Sequence, residues 1–208
     1  MFEGLIKKWN RKHLKDERFS FLFDDTDEDE IVVFDCETTG LNPKVDNIIS
    51  IGAVKIKGNR ILTNEAIHIF VKQEEQISHE SITIHKIRHC DLNGAIDIEE
   101  AIEKFLYYIG NRKLVGYYLE FDVAMINKYI KPTFGITLPN KREEISAIYY
   151  DKKISTIPQG HIDLRFDTIL QDLALPKLQA HDALNDAIMT AIMYLKLTHI
   201  KSFEIMRR

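Results

Sequence analysis

The stretch Ile31–Gly40, which reads Ile-Val-Val-Phe-Asp-Cys-Glu-Thr-Thr-Gly, joins a short apolar run to two carboxylates. Its β-branched and aromatic residues are typical of a buried strand. Because side chains alternate along a strand, Asp35 and Glu37 are expected on the same side of the sheet. Two carboxylates at a strand end can bind hard divalent cations, which prefer oxygen ligands. Taken alone, Asp-x-Glu is more often an acidic strand end that caps a turn.

The apolar pattern on either side of this stretch predicts an α/β fold, with a mixed sheet covered by helices. Strand-like runs cover 48–57, 60–71 and 113–118, and Gly58-Asn59 is expected to form a hairpin turn between the first two. Helical stripes cover 99–109, 121–130, 162–173 and 182–197. The segment 132–160 has no decisive pattern.

The N-terminal segment is predicted to be a basic amphipathic helix over residues 2–18, followed by an acidic linker up to residue 30. One face of this helix carries four apolar residues, Phe2, Leu5, Ile6 and Trp9. We expect this face to pack on the domain rather than on a membrane surface. The expected division is therefore 1–30 for this extension, 31–199 for the main domain and 200–208 for a short tail.

The composition excludes several classes of protein. With 208 residues the chain can bury a sizeable core without help from metal ions or disulfides. Its low cysteine content, two residues, suits a cytoplasmic location. It has no run of about 20 apolar residues, so no membrane span is expected. A net charge of −4 argues against a protein that coats long duplexes, but it is compatible with an enzyme that grips a few terminal nucleotides through metal ions.

Two further acidic features follow along the chain. Asp122 lies at a predicted helix start, where the helix dipole favours an aspartate without any function. His181 and Asp186 are five positions apart and would not share a helix face. They can still converge if His181 lies on the loop before a helix capped by Asp182. A mobile histidine would then lie beside a fixed carboxylate.

Taken together, these motifs resemble the DEDD family of 3′–5′ exonucleases, in the subgroup with a histidine in the last motif, which includes the proofreading exonucleases of bacterial DNA polymerase III. The resemblance covers most of 31–197. It implies a ribonuclease H-like fold, with a mixed five-stranded sheet covered by helices on both faces. It also implies release of nucleoside monophosphates from the 3′ end of single-stranded DNA by two-metal-ion hydrolysis.

The resemblance also assigns roles to residues. Two Mg²⁺ or Mn²⁺ ions would be held by Asp35, Glu37, Asp122 and Asp186. His181 would take a proton from the attacking water. The pocket for the terminal nucleotide would be lined by Thr38, Thr39 and Leu41.

The chain departs from the family pattern at two places that lie near the substrate in relatives. Tyr117 and Tyr118 replace a frequent His-Asn pair, and Ile84-His85-Lys86-Ile87 replaces Ile-His-Gly-Ile. We therefore add His85, Tyr117, Tyr118 and Phe121 to the substrate-binding candidates. If the two tyrosines end a strand, one ring should face the cleft and stack on a base while the other packs into the core.

Three alternatives stay open at this point. The same mechanism could serve an exoribonuclease, since discrimination depends on how the pocket treats a 2′-hydroxyl. The fold could belong to a non-catalytic binding module, which the complete residue set argues against. It could also belong to a regulatory protein whose N-terminal helix docks on a protein partner. A zinc site is disfavoured because the candidate ligands match no compact zinc pattern: His79, His85, His89 and Cys90.

Overall fold

The computed structural model describes residues 2–25, 29–154 and 161–199, with residues 2–6 described by their main chain alone. The strands are β1 Glu30–Thr38, β2 Ile48–Lys57, β3 Arg60–Phe70, β4 Lys113–Gly116 and β5 Arg142–Glu144. The helices are α1 Phe2–His13, α2 His79–His85, α3 Ile98–Ile109, α4 Leu119–Phe134, α5 Ile145–Ile154, α6 Phe166–Asp172 and α7 Ala183–His199. None of the helices in these ranges combines the length and apolar character that crossing a bilayer requires.

The strands form one mixed sheet in the order β3-β2-β1-β4-β5, so β1 is central. The pairs β1–β2 and β2–β3 are antiparallel, whereas β1–β4 and β4–β5 are parallel. Gly58 has the positive φ, 55°, that suits the turn joining β2 to β3. The predicted hairpin and the mixed five-stranded sheet are therefore confirmed.

Alternation along β1 divides its side chains between two apolar cores. Phe34 packs in the core shared with α3 and α4, whereas Val33 packs in the core shared with α5, α6 and α7. Helices thus cover both faces of the sheet, as predicted. Asp35 and Glu37 continue the alternation of Val33, so both carboxylates are directed to the face that carries α7.

The prediction of one helix over 2–18 is wrong in its extent. α1 ends at His13, and a 3₁₀ helix over Glu17–Phe23 follows it. The break occurs because the Asp16 side chain accepts a hydrogen bond from the Arg18 N–H (3.0 Å) and so caps a new helix start. Three side chains of the 3₁₀ helix are buried in the core with α3 and α4: Phe19, Leu22 and Phe23.

The described part of α1 packs through a polar residue. Asn10 is buried and donates to the Thr137 carbonyl (3.3 Å), whereas Trp9 is exposed and stacks on His13. The expectation that Trp9 packs on the domain is therefore wrong. The side chains of Phe2, Leu5 and Ile6 lie outside the described residues, as do residues 26–28 of the acidic linker and the predicted tail.

Two other predicted elements differ from the structure, and two segments contain elements that were not predicted. The strand predicted over 113–118 ends at Gly116, and the helix predicted over 162–173 is confined to α6. The undecided segment 132–160 contains β5 and α5, and α2 lies in a stretch for which no element was predicted.

Candidate active site

Three carboxylates meet at the end of β1. Asp35, Glu37 and Asp186 each offer one oxygen, and these oxygens lie within 4.8 Å of one another. Asp186 comes from the first turn of α7. That turn can lie against the sheet because Gly52 of β2 has no side chain: a Cβ there would be 2.2 Å from the Ala183 main chain.

Asp122 reaches β1 from α4. Its side chain is buried, and its Oδ1 accepts a hydrogen bond from the Cys36 N–H (3.1 Å). Among the described residues it is not a member of the three-carboxylate group, but its charge contributes to raising the pKa of Asp35. The structure therefore brings three of the four predicted ligands together and places the fourth beside them.

The carboxylates have raised pKa values because they are buried close to one another. Burial, followed by the charges of Asp122, Glu37 and Asp186, raises the pKa of Asp35 well above its usual range. Burial and the charges of Asp186 and Asp182 raise the pKa of Glu37 to about 8. Burial also raises the pKa of Asp186 to about 6.

This donor set fits a hard divalent cation. Its ligand atoms are all carboxylate oxygens, and a cation would relieve the burial and repulsion that now raise their pKa values. Asp186 Oδ1 is also buried without a hydrogen-bond partner in the described part of the chain. An acceptor in that state is suited to metal coordination.

His181 lies on the loop before α7, as the sequence predicted. Its backbone has a φ of 61°, and its N–H donates to Asp186 Oδ2 (3.1 Å), which ties the loop to the carboxylate. The expected cap of α7 is also present, since Asp182 Oδ1 accepts from the Asn185 N–H (2.9 Å). The His181 side chain is exposed and can therefore meet a water molecule or a substrate.

A cavity of about 640 Å³ opens beside these groups. It is lined by Asp35, Asp186 and His181, together with residues that the sequence analysis had not singled out for the site: Arg165, Phe166, Asp167, Thr168, Gln171, Lys177 and Ala180. These residues were missed because they belong to α6 and its neighbouring loops, where no motif distinguishes them from an ordinary polar surface. The two basic side chains that line the cavity form ion pairs, Arg165 with Asp163 and Lys177 with Asp167.

The loop after β1 carries the residues predicted to line a terminal-nucleotide pocket. Thr38 Oγ1 donates to the Gly40 carbonyl (2.7 Å), and Thr39 Oγ1 donates to the Asp46 carboxylate (3.2 Å). Leu41 is 84% exposed.

His85, at the end of α2, is 4% exposed. Its Nδ1 accepts from the Ile87 N–H (3.0 Å), so the proton of the neutral ring lies on Nε2, which has no partner among the residues described. Burial, with a smaller effect from the nearby His181, lowers the pKa of His85. Lys86 has a φ of 64°, the left-handed conformation that favours glycine, the residue at this place in the Ile-His-Gly-Ile pattern.

The two tyrosines follow the strand rather than end it, so the predicted arrangement is wrong in part: one ring, that of Tyr117, does face the cavity, but the other does not pack into the core. Tyr118 lies in the left-handed region because its N–H donates to Glu144 (3.1 Å), and its ring is 69% exposed beside Phe121 rather than in the core. Tyr117 is half-buried and lines the cavity. Its ring packs edge-on against Phe166, and its hydroxyl donates to the Leu164 carbonyl (3.0 Å).

The sequence matches the family described as Exonuclease over residues 32–194. It is 32% identical over 169 residues to the PolC-type DNA polymerase III of Thermotoga maritima, a match that covers 81% of this chain and 12% of that protein. It is 34% identical over 174 residues to the PolC-type DNA polymerase III of Caldanaerobacter subterraneus, covering 82% and 12%. The chain thus spans about an eighth of the length of these relatives.

Solved structures share the architecture. Cell-death related nuclease 4 superposes with a TM-score of 0.70 at 14% identity, covering 82% of this chain and 64% of that one. Exonuclease I of E. coli, in complex with a dA16 oligonucleotide, superposes with a TM-score of 0.68 at 16% identity, covering 85% and 42%. At these identities the likeness establishes the fold, a ribonuclease H-like mixed sheet with helices.

Proposed function

This chain belongs to the exonuclease family, as its motifs predicted, and on that premise we propose that it removes nucleoside monophosphates from the 3′ end of single-stranded DNA. The observation that carries the proposal is the meeting of Asp35, Glu37 and Asp186 beside the cavity that His181 lines. The arrangement combines a set of metal ligands, a proton acceptor and space for a nucleotide.

Asp35, Glu37, Asp122 and Asp186 are proposed to hold two Mg²⁺ or Mn²⁺ ions. When bound, such a pair activates water and stabilises the attacking and leaving oxygens of a phosphodiester. The Cys36 N–H already donates to Asp122 Oδ1, which fixes this carboxylate and leaves its other oxygen for a cation.

His181 is proposed to be the general base. It accepts a proton from the attacking water, whose oxygen bonds to phosphorus while the bond to the 3′ oxygen of the shortened strand breaks. The hydrogen bond from the main-chain N–H of His181 to Asp186 holds this residue beside the carboxylates, while its side chain is exposed. The terminal nucleotide leaves as a 5′-monophosphate, and the 3′ oxygen of the shortened strand takes a proton from solvent to become a hydroxyl.

Substrate contacts are proposed for the loop after β1, the end of α2 and the start of α4. The residues concerned are Thr38, Thr39, Leu41, His85, Tyr117, Tyr118 and Phe121. The exposed ring of Tyr118 stacks on the half-buried ring of Phe121, with centroids 6.2 Å apart, and forms a platform on which an unpaired base could lie. The complex of Exonuclease I with an oligonucleotide supports single-stranded DNA as the substrate class.

An exoribonuclease with the same mechanism is the second candidate function. The candidate set itself keeps it open, because carboxylates that hold metal ions act on the phosphodiester and do not discriminate a 2′-hydroxyl. The PolC-type relatives favour DNA, but this chain spans about an eighth of their length. A protein partner on the N-terminal helix of the proposed 1–30 extension belongs to the same proposal, in which the exonuclease acts alone or with a loosely bound partner.

A digestion panel separates the two functions. Single- and double-stranded DNA and RNA, each labelled at the 5′ end, are incubated with the protein and Mn²⁺. The proposal predicts a ladder of labelled products that shortens from the 3′ end, fastest on single-stranded DNA. Faster shortening of RNA would assign the second function. Immediate release of the labelled 5′ nucleotide would exclude 3′–5′ action.

A further inference from the structure

The loop over 39–47, which joins β1 to β2, is folded tightly around the carboxylate of Asp46. This carboxylate accepts from Thr39 Oγ1 (3.2 Å) and from the Asn42 N–H (2.7 Å). A Cβ on Gly40 would lie 2.6 Å from Asp46 Oδ2, so any larger residue there would displace this carboxylate. Two hydrogen bonds between Thr39 and Asn47 close the base of the loop. The Thr39 N–H donates to the Asn47 carbonyl, and the Asn47 N–H donates to Thr39 Oγ1, both at 2.9 Å.

Two helices hold this loop from outside. On α4, Lys128 Nζ donates to the Asp46 carbonyl (2.7 Å) and to Asn47 Oδ1 (3.0 Å), and the Tyr129 hydroxyl also donates to Asn47 Oδ1 (3.1 Å). On α2, Ser81 Oγ donates to the Thr39 carbonyl (2.6 Å). These helices also carry Asp122 and His85, so the loop is tied to the elements that form the rest of the candidate site.

The ammonium group of Lys128 contacts the loop through all three of its N–H donors. An ammonium has three N–H groups, and Lys128 Nζ has three loop acceptors, the third being the Val45 carbonyl at 3.5 Å. A lysine whose donors are engaged in this way is poorly placed to bind a phosphate. It is well placed to fix a main-chain segment.

We propose that Lys128 is a positioning residue that holds the 39–47 loop in the conformation that receives the 3′-terminal nucleotide. The inference rests on the proposed function, since it takes this loop as the terminal-nucleotide pocket. Leu41, 84% exposed, has little packing of its own to fix it, so its place relative to the carboxylates depends on the loop. Without Lys128 the loop would have to be ordered during binding, and that cost would weaken substrate affinity.

The test compares three variants of the full chain on a 5′-labelled single-stranded oligonucleotide at saturating Mn²⁺. Lys128→Met keeps the length of the side chain but removes the donors, and Lys128→Arg restores a charged donor. Lys131→Met, at an exposed lysine one turn along the same helix, is the matched control.

We expect Lys128→Met to raise KM about tenfold or more, the scale of a lost charged hydrogen bond, with kcat and the Mn²⁺ midpoint within about twofold. Lys128→Arg should recover most of this loss, and Lys131→Met should behave as wild type. An unchanged KM in Lys128→Met, or an equal fall in kcat, would overturn the inference.

Amide hydrogen exchange supplies a readout that does not depend on activity. Residues 39–47 should exchange faster in Lys128→Met than in wild type or Lys131→Met, while β1 keeps its protection. If wild type degrades no oligonucleotide, the proposed function fails, yet the exchange data still decide whether Lys128 holds the loop. Unchanged protection of 39–47 in Lys128→Met would refute that role.

Discussion

At the scale of single residues, β1 uses its side chains and its main chain for different parts of the site. Asp35 and Glu37 alternate with Cys36, and that period of two is why their common side could be predicted from the sequence. The N–H of Cys36, in turn, donates to Asp122 of α4. This second link depends on a contact between residues 86 positions apart, and no local pattern encodes it.

The exposed side chain of His181 leads to a prediction about rate. His181→Ala should lower kcat by about 10²–10⁴-fold, the usual contribution of a positioned base, and leave the Mn²⁺ midpoint within about threefold. The measurement is a set of initial rates over a Mn²⁺ titration. His199→Ala, at an exposed histidine at the far end of α7, is the control and should keep wild-type rates. A loss confined to metal affinity would mean that His181 is a ligand or a structural residue.

At the scale of elements, long apolar patterns were predictable and short ones were not. The β2–β3 hairpin follows from two apolar runs around Gly58-Asn59, and the start of α7 follows from the cap at Asp182. By contrast, β5 consists of Arg142–Glu144, three charged residues that form a strand only because β4 lies beside them. Sequence patterns carry no signal for such a strand.

The end of β4 shows the same limit. Apolar and aromatic residues continue past Gly116, so a strand up to Tyr118 was predicted, but the carboxylate of Glu144 accepts the N–H groups of Tyr118 and Leu119 and starts α4 there. Glu144 lies 26 residues beyond Tyr118 in the chain. A tertiary hydrogen bond therefore decides where the strand ends.

The contact between α7 and β2 gives a prediction about one glycine. In Gly52→Ala the added methyl group would collide with the Ala183 main chain, pushing Asp186 and His181 away from β1. We expect loss of most activity together with a lower melting temperature. Gly58→Ala is the matched control: nothing lies within 4 Å of its Cβ, so it should cost only about 1–2 kcal/mol from its left-handed backbone and keep kcat. Equal activity in the two variants would contradict this account of the contact.

At the scale of the whole molecule, the acidic site is stabilised by protons when no cation is present. The pKa of Glu37 is raised from 4.5 to about 8, and that of Asp186 from 3.8 to about 6. At these two groups the folded chain therefore binds more protons than the unfolded chain across this range. Their contribution to the free energy of unfolding is greatest at the acid end and falls as the pH rises towards 8.

Thermal melts can check this linkage. In EDTA, the melting temperature should decrease between pH 5.5 and 8.5, and Glu37→Gln should show a shallower decrease because it has no proton to lose. Millimolar Mn²⁺ should raise the melting temperature of wild type, most strongly at the alkaline end, since it binds the folded state and replaces the protons. Identical slopes for wild type and Glu37→Gln, or melts unaffected by Mn²⁺, would count against a preformed cation site.

We propose that the carboxylates at the end of β1 catalyse metal-dependent removal of 3′-terminal nucleotides. The most direct test measures mononucleotide release from single-stranded DNA by wild type and Asp35→Asn, each over a Mn²⁺ titration and in EDTA. We predict release by wild type that requires Mn²⁺, and a loss of at least about 100-fold in Asp35→Asn with its circular dichroism spectrum unchanged. Full activity in EDTA, or wild-type rates in Asp35→Asn, would contradict the claim.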